Sequence, residues 1–231
     1  MNGPAERSWD AEYRAGRYAT EAPVAFVADI IAAARTVGAG HGLDIGCGNG
    51  RHLLPLLDAG VDMTGLDISA EAIAQLRARR PDRADRFVHG DLTVLPPEQR
   101  WPLVVAIQVF QHGDRRAAHH HLRAAQERVA AGGLLCVRVN AAGTDVRPDH
   151  EVTERHPDGG FTVRYLAGPK TGLDIHFFGA TELSRLFAGW TPILLVRADT
   201  TWRQPPSVGQ WTQWEAIWQH PQQHPGPGRE G

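Results

Sequence analysis

Leu43-Asp44-Ile45-Gly46-Cys47-Gly48-Asn49-Gly50 decides the reading of this chain, because an apolar strand-like run passes directly into a glycine-rich turn. Missing side chains there let a ligand approach the backbone closely. Leu53, Leu54, Leu56 and Leu57 follow at helical spacing and stop at Gly60, so the segment reads strand, turn, helix. The spacing G-x-G-x-G differs from the dinucleotide pattern G-x-G-x-x-G, and no Gly-Lys-Ser/Thr ending marks a phosphate-gripping loop.

Working outward, Met63 to Ile68 predicts a second strand and Ser69 the cap of a helix carrying Ile73 and Leu76, with Glu71 in its positive first turn. Arg86 to His89 reads as a short third strand. Leu103 to Ile107, almost wholly apolar, suits a strand buried on both faces. Asp114 caps a helix with the stripe Ala118, Leu122, Ala125 and Val129, expected to end at Gly132-Gly133 before a fifth strand over Leu134 to Val139. A helix over Gly179 to Phe187 and strands over Pro192 to Val196 and Trp211 to Trp218 complete the pattern. Before the first strand, Ala22 to Thr36 predicts a helix with one apolar face.

This alternation predicts an α/β fold, a doubly wound and mainly parallel sheet with helices on both faces and ligands at the carboxyl ends of its strands. Residues 1–220 read as a single domain, with 1–36 as an N-terminal lid and lead-in helix, 141–178 as a substrate-pocket insertion and 221–231 as a disordered tail.

Three positions sharpen the chemistry. Asp67 ends the second strand, where its carboxylate can accept from two ribose hydroxyls. Asp91, after the third strand, can accept from an adenine amino group while Leu92 packs on the ring. With the glycine loop, and with Gly65-Leu66-Asp67-Ile68-Ser69 and Gly90-Asp91-Leu92, the chain resembles the class I S-adenosylmethionine-dependent methyltransferases of small-molecule type from about Trp9 to Val196.

That resemblance implies a seven-stranded sheet with one antiparallel strand near its edge and S-adenosyl-L-methionine over the first loop. Asp44, Gly46, Cys47 and Gly48 would then face the cofactor, Asp44 and Gly46 at its methionine part. Asp67 and Ile68 would lie at the ribose, Asp91 and Leu92 at the adenine. Trp9-Asp10-x-x-Tyr13-x-x-Gly16-x-Tyr18 is similar to the family's lid, so Tyr13 and Tyr18 would cover the cofactor; the alternative is that they only pack the lead-in helix.

The nearly 40 residues between Asn140 and Gly179 exceed an ordinary connection and are expected to build the acceptor pocket. Phe161 to Leu166 and Leu173 to Phe178 around Gly168-Pro169-Lys170-Thr171-Gly172 predict a β-hairpin. Candidate catalytic groups are His112, His176 and Tyr165, either histidine as general base; Gln108 is a candidate cofactor contact, and Arg138 and Asn140 are further polar candidates. No metal is expected. Consecutive His119-His120-His121 point about 100° apart on a helix, and His150 and His156 are six residues apart rather than four.

A net charge of −2, with 24 basic and 26 acidic residues, offers no field for collecting phosphates, so the expected partner is a small-molecule acceptor and not nucleic acid. Two cysteines, Cys47 and Cys136, form no disulfide framework, and the absence of a secretory or membrane-spanning run points to the cytoplasm. The competing readings are a Rossmann-type NAD-dependent oxidoreductase and a non-catalytic S-adenosylmethionine-binding protein.

Overall fold

The computed structural model describes residues 4–222. Helices α1 (Pro4–Arg14) and α2 (Phe26–Thr36) precede β1 (His41–Ile45), α3 (Leu53–Asp58), β2 (Asp62–Asp67), α4 (Ala70–Arg79) and β3 (Phe87–His89). Then come β4 (Trp101–Ile107), α5 (Arg115–Gln126), β5 (Val129–Asn140), β6 (His150–Arg155), β7 (Phe161–Tyr165), β8 (Asp174–Phe177), α6 (Ala180–Leu186), β9 (Thr191–Trp202) and β10 (Gln210–Gln219).

Seven strands form one sheet in the order β3-β2-β1-β4-β5-β10-β9. Strands β1 to β5 pair in parallel, while β10 runs antiparallel to both β5 and β9. Side chains alternate across β4, and each set enters a different core. Leu103, Val105 and Ile107 pack with α2, α3 and α4 residues such as Phe26, Leu56 and Ile73, whereas Val104 and Ala106 pack with Ala118, Leu122 and Ala125 of α5. A strand buried on both faces needs apolar residues at every position, which is why this stretch has no polar alternation.

The predicted caps form. Ser69 Oγ accepts from the Ala72 amide at 3.1 Å, and an Asp114 oxygen accepts from Ala117 N at 2.8 Å. The boundary after α5 lies earlier than the glycine pair suggested. The helix ends at Gln126, and Val129 already pairs with Trp101 in the sheet; the register then shifts before Leu103 meets Leu134. Gly133 belongs to that irregularity, since a Cβ there would press on the backbone of Pro102 and Ala130.

The insertion is a three-stranded antiparallel sheet, β6-β7-β8. The expected hairpin is present as β7 and β8, and β6, which the sequence reading did not assign, adds a strand on its outer side. Backbone bonds stitch this sheet onto the carboxyl ends of β4 and β5: His176 N donates to Gln111 O at 2.8 Å, Gly113 N to Asp174 O at 2.9 Å and Phe178 N to Asn140 O at 2.8 Å. It therefore stands over the edge of the sheet where the winding reverses. Of the expected tail, Pro221 and Gln222 are described and the rest lies outside the described residues. No helix among the described residues is long and apolar enough to cross a membrane.

Candidate functional site

At the carboxyl ends of β1, β2 and β4 lies a cleft of about 570 Å³. One wall is Ile45 to Asn49, the second Leu66 to Ile68 with Gly90 to Thr93, and the third Ile107 to His112. Trp9, Tyr13, Tyr18, Lys170 and Trp211 close it from above and from the insertion side.

The glycine loop is held by its neighbours in the sheet. Gly46 N and Cys47 N both donate to Leu66 O, at 2.7 and 3.1 Å, and Gly48 N donates to Asp67 Oδ2 at 2.8 Å. Gly48 has φ +55, and a Cβ there would run into the Tyr13 phenol, so only glycine fits both the turn and the roof. Asp67 Oδ1 accepts from Ser69 N at 2.8 Å. Burial pushes the Asp67 carboxyl above its usual range against these two amides. Beneath the loop, Asp44 is 2% exposed, and its Oδ2 has no hydrogen-bond partner. Burial, then the charge of Asp67, raises Asp44 well above an ordinary carboxylate.

Asp91 caps a single 3₁₀ turn at Leu92–Val94 by accepting from Thr93 N at 2.9 Å and from the Thr93 hydroxyl at 2.5 Å, which holds its carboxyl below the usual range. Gln108, immediately after β4, has φ +61, a sparsely populated conformation for a residue with a Cβ.

The N-terminal aromatics do roof the cleft. Asp10 Oδ1 accepts from the Ser69 hydroxyl at 2.6 Å and from Glu71 N at 3.1 Å, fixing α1 on the start of α4. The Gln75 side chain donates to Tyr13 O at 3.0 Å. Tyr13 is buried over Gly48, with the Tyr18 ring 5.7 Å away.

With this geometry in view, three comparisons bear on the chain. Residues 43–133 match a family described as a methyltransferase domain. A dTDP-3-amino-3,6-dideoxy-α-D-glucopyranose N,N-dimethyltransferase of Streptomyces fradiae is 29% identical over 147 residues, 60% of this chain; the chain spans 56% of that relative's length. The fold matches the sugar N-methyltransferase KedS8 from Streptoalloteichus sp. with a TM-score of 0.59 at 21% identity, covering 93% of each chain. It also matches the Burkholderia thailandensis 1,6-didemethyltoxoflavin-N1-methyltransferase, solved with 1,6-didemethyltoxoflavin and S-adenosylhomocysteine, with a TM-score of 0.61 at 17% identity over 96% of this chain and 92% of that one.

Residues 43–133 carry a methyltransferase domain, and the fold around them is that of solved S-adenosylmethionine-dependent methyltransferases. The cofactor fits the residues of this methyltransferase domain on two counts. The loop is glycine where a ligand must approach it, and two desolvated carboxylates, Asp44 and Asp67, make no ion pair among the described residues, which suits a cationic ligand.

Of the candidates named from sequence, Tyr13, Tyr18, Gly46, Cys47, Gly48, Asp67, Ile68, Asp91, Leu92, Gln108, His112 and Asn140 line the cleft. Asp44 sits one layer below it. His176 and Tyr165 do not line it, which corrects the expectation that the hairpin points them at the acceptor. His176 is fully buried between Thr162 and Glu182: its Nδ1 lies 3.1 Å from the Thr162 hydroxyl and its Nε2 3.0 Å from Glu182 Oε1. Tyr165 is buried in a cluster with Val163, Ile175 and Phe177 behind Trp211, and it does not itself line the cleft. Arg138 is also turned away, bonding Glu215 at 2.9 Å and Asp199 at 2.5 Å inside the sheet.

His112 keeps its place in the cleft, with its ring 5.3 Å from that of Trp9. Burial and then the neighbouring Lys170 charge push its pKa down to about 3, so it is a neutral imidazole at physiological pH and a weak proton acceptor. His52 is likewise pushed down to about 3, by burial and then by Arg51 and Arg138, and its Nε2 is unpartnered.

His119, His176 and Glu182 bring three potential ligand atoms within 4.8 Å of one another. The consecutive histidines indeed do not converge; His119 instead meets residues from β8 and α6. Arg115 Nε also donates to Glu182 Oε1 at 2.8 Å, so a cation already holds that oxygen. Sequence reasoning missed Arg51, His52, Gln111, Lys170 and Trp211 as cleft residues. Only Lys170 carried a signal, as the single lysine of the chain.

Proposed function

We propose that this chain transfers the methyl group of S-adenosylmethionine to a nitrogen or oxygen of a small-molecule acceptor, with the amine of an amino sugar as the first acceptor to test. The observation carrying the reading is the pair Asp44 and Asp67: two desolvated carboxylates without a cation, under a loop that only glycine can form and beneath an aromatic roof. The amino-sugar choice takes its chemistry from the Streptomyces fradiae relative. A near-neutral net charge supports a small acceptor over nucleic acid, and the chain's two cysteines, free and buried, suit a cytoplasmic enzyme.

When bound, the cofactor supplies an electrophilic methyl group on a sulfonium. The protein's task is then mostly positioning and exclusion of water. Asp67 presents a carboxylate whose geometry is fixed by two backbone amides. Trp9, Tyr13 and Tyr18 cover the cleft, so charges inside it act in a less polar medium. His112, held neutral, is available to accept a hydrogen bond from the acceptor and orient its lone pair.

The test is incubation with methyl-labelled cofactor and a panel of acceptors: free amino sugars, nucleotide-linked amino sugars, and phenols. Label in an amino sugar, with S-adenosylhomocysteine formed in equal amount, is the expected result. Label confined to phenols would reassign the acceptor. Cofactor binding without label in any compound would favour the non-catalytic reading.

A further inference from the structure

The chain has 24 basic residues, and Lys170 is its one lysine. It sits in the turn between β7 and β8, flanked by Gly168 and Gly172 at φ +82 and +80, which aim the turn back at the cleft. Its ammonium lies 5.4 Å from the centre of the Trp9 ring, and that ring lies 5.3 Å from His112. All three line the cleft.

The neighbouring cations are occupied. Arg17 pairs with Glu12 at 3.0 Å and Arg51 with Glu21 at 2.7 Å. Lys170 makes no ion pair or hydrogen bond through its ammonium among the described residues, although it is largely withdrawn from water. A cation–π contact with Trp9 compensates part of that desolvation and leaves the three N–H donors free. The cleft is thus electrically divided, with carboxylates Asp67 and Asp91 on the walls after β2 and β3 and, at the insertion end beside His112, the Lys170 cation, which feels the charges of Glu12 and Arg17 but makes no ion pair with Glu12, itself paired with Arg17. An ammonium is a compact point charge on a flexible stem, suited to an anion whose position varies as the roof closes, where a rigid guanidinium fork would not serve.

We propose that Lys170 is the specificity-determining residue for the acceptor, holding an anionic substituent, phosphate or carboxylate, of the molecule to be methylated. The inference rests on the proposed transfer to a small molecule and selects acceptors that carry a negative charge.

A unique side-chain amine allows a direct test on the full chain. Lys170 is trinitrophenylated with trinitrobenzenesulfonate, its amine displacing sulfite from the ring, in the presence of S-adenosylhomocysteine, and modification of its peptide is timed by mass spectrometry with thymidine diphosphate, glutarate or neutral methyl glucoside added. An anion in contact with the ammonium should slow the reaction about tenfold, equivalent to roughly 1.4 kcal/mol. Protection by thymidine diphosphate assigns a phosphate, and protection by glutarate assigns a carboxylate. No protection by either anion overturns the proposal, and so does full protection by S-adenosylhomocysteine alone, which would give Lys170 to the cofactor's carboxylate.

The kinetic arm uses Lys170→Met, which keeps the stem over Trp9. The KM for an anionic acceptor should rise about 10- to 100-fold, the loss of one charge-assisted hydrogen bond, with the KM for S-adenosylmethionine unchanged. A neutral analogue of that acceptor should show no such rise; an equal rise for both overturns the proposal. If the parent chain methylated nothing, the proposed function would fail, and the protection experiment would still decide whether Lys170 holds an anion.

Discussion

The Gly48 amide donates to Asp67 Oδ2 at 2.8 Å, joining the loop after β1 to the end of β2. This bond makes the loop and the carboxylate one rigid unit, so either end can be tested through the other. Gly48→Val forces a branched residue to φ +55 and drives its side chain into Tyr13. Backbone strain of about 1–3 kcal/mol should appear as a lowered melting temperature, and S-adenosylmethionine affinity should fall further than stability explains. A variant that melts lower yet binds normally would place the cofactor elsewhere.

Asp44→Asn should do the opposite to stability. Because burial and Asp67 raise the Asp44 carboxyl far above its usual range, its ionised form opposes folding at neutral pH. Removing the charge should raise the melting temperature of the cofactor-free protein, by about 2–4 °C for each kcal/mol relieved. Cofactor affinity should fall in the same variant, measured by calorimetry. A lower melting temperature with unchanged affinity would show that Asp44 is satisfied by the fold alone.

The half of the cleft built from the glycine loop and the strand-end aspartates was legible in the sequence because it depends on local features. Glycines, strand-terminal aspartates and their spacing dictate where Gly48, Asp67 and Asp91 come to lie once the sheet forms. The half beside the insertion depends on which way distant strands face. His176 and Ile175 are adjacent on β8, yet both are buried on opposite sides of the insertion, so no alternation showed which face met the cleft. Strand β6 was missed for a related reason. Five of its six residues are polar and most are exposed, so only backbone pairing with β7 reveals it. The α5 boundary was misplaced because Val129 fits the helical stripe and the strand equally well; pairing with Trp101 decides it.

Acid should expose the two depressed histidines. His52 and His112 titrate at about 3 in the folded chain, against an ordinary value near 6.5. Between these values the unfolded chain binds protons that the folded one does not, so stability is intact above pH 6.5 and is lost as pH falls toward 3. The buried aspartates act in the reverse sense, and a comparison of variants separates the two. The double change His52→Gln and His112→Gln should shrink the drop in melting temperature between pH 7 and pH 5. An unchanged drop would mean that neither ring is kept neutral by burial.

Glu182 holds the structural core of the insertion. Burial alone would raise its carboxyl, but hydrogen bonds from His119 and His176, the charge of His176 and the Gly179 amide hold it well below the usual range. Its Oε1 also accepts from Arg115 at 2.8 Å. Glu182→Ala leaves those donors unpaired and should cost about 3–5 kcal/mol in chemical denaturation. Turnover per folded molecule should persist, since none of these groups lines the cleft. Lost turnover at full stability would return His176 to the catalytic candidates.

The decisive measurement is a calorimetric titration of the chain and its Asp67→Ala variant with S-adenosylmethionine and, separately, with NAD. One S-adenosylmethionine site per chain is expected, with an affinity about tenfold or more weaker in the variant through loss of a charged hydrogen-bond acceptor, and no heat from NAD. Saturable NAD binding that depends on Asp67, with no S-adenosylmethionine binding to the parent chain, would contradict the methyltransferase reading.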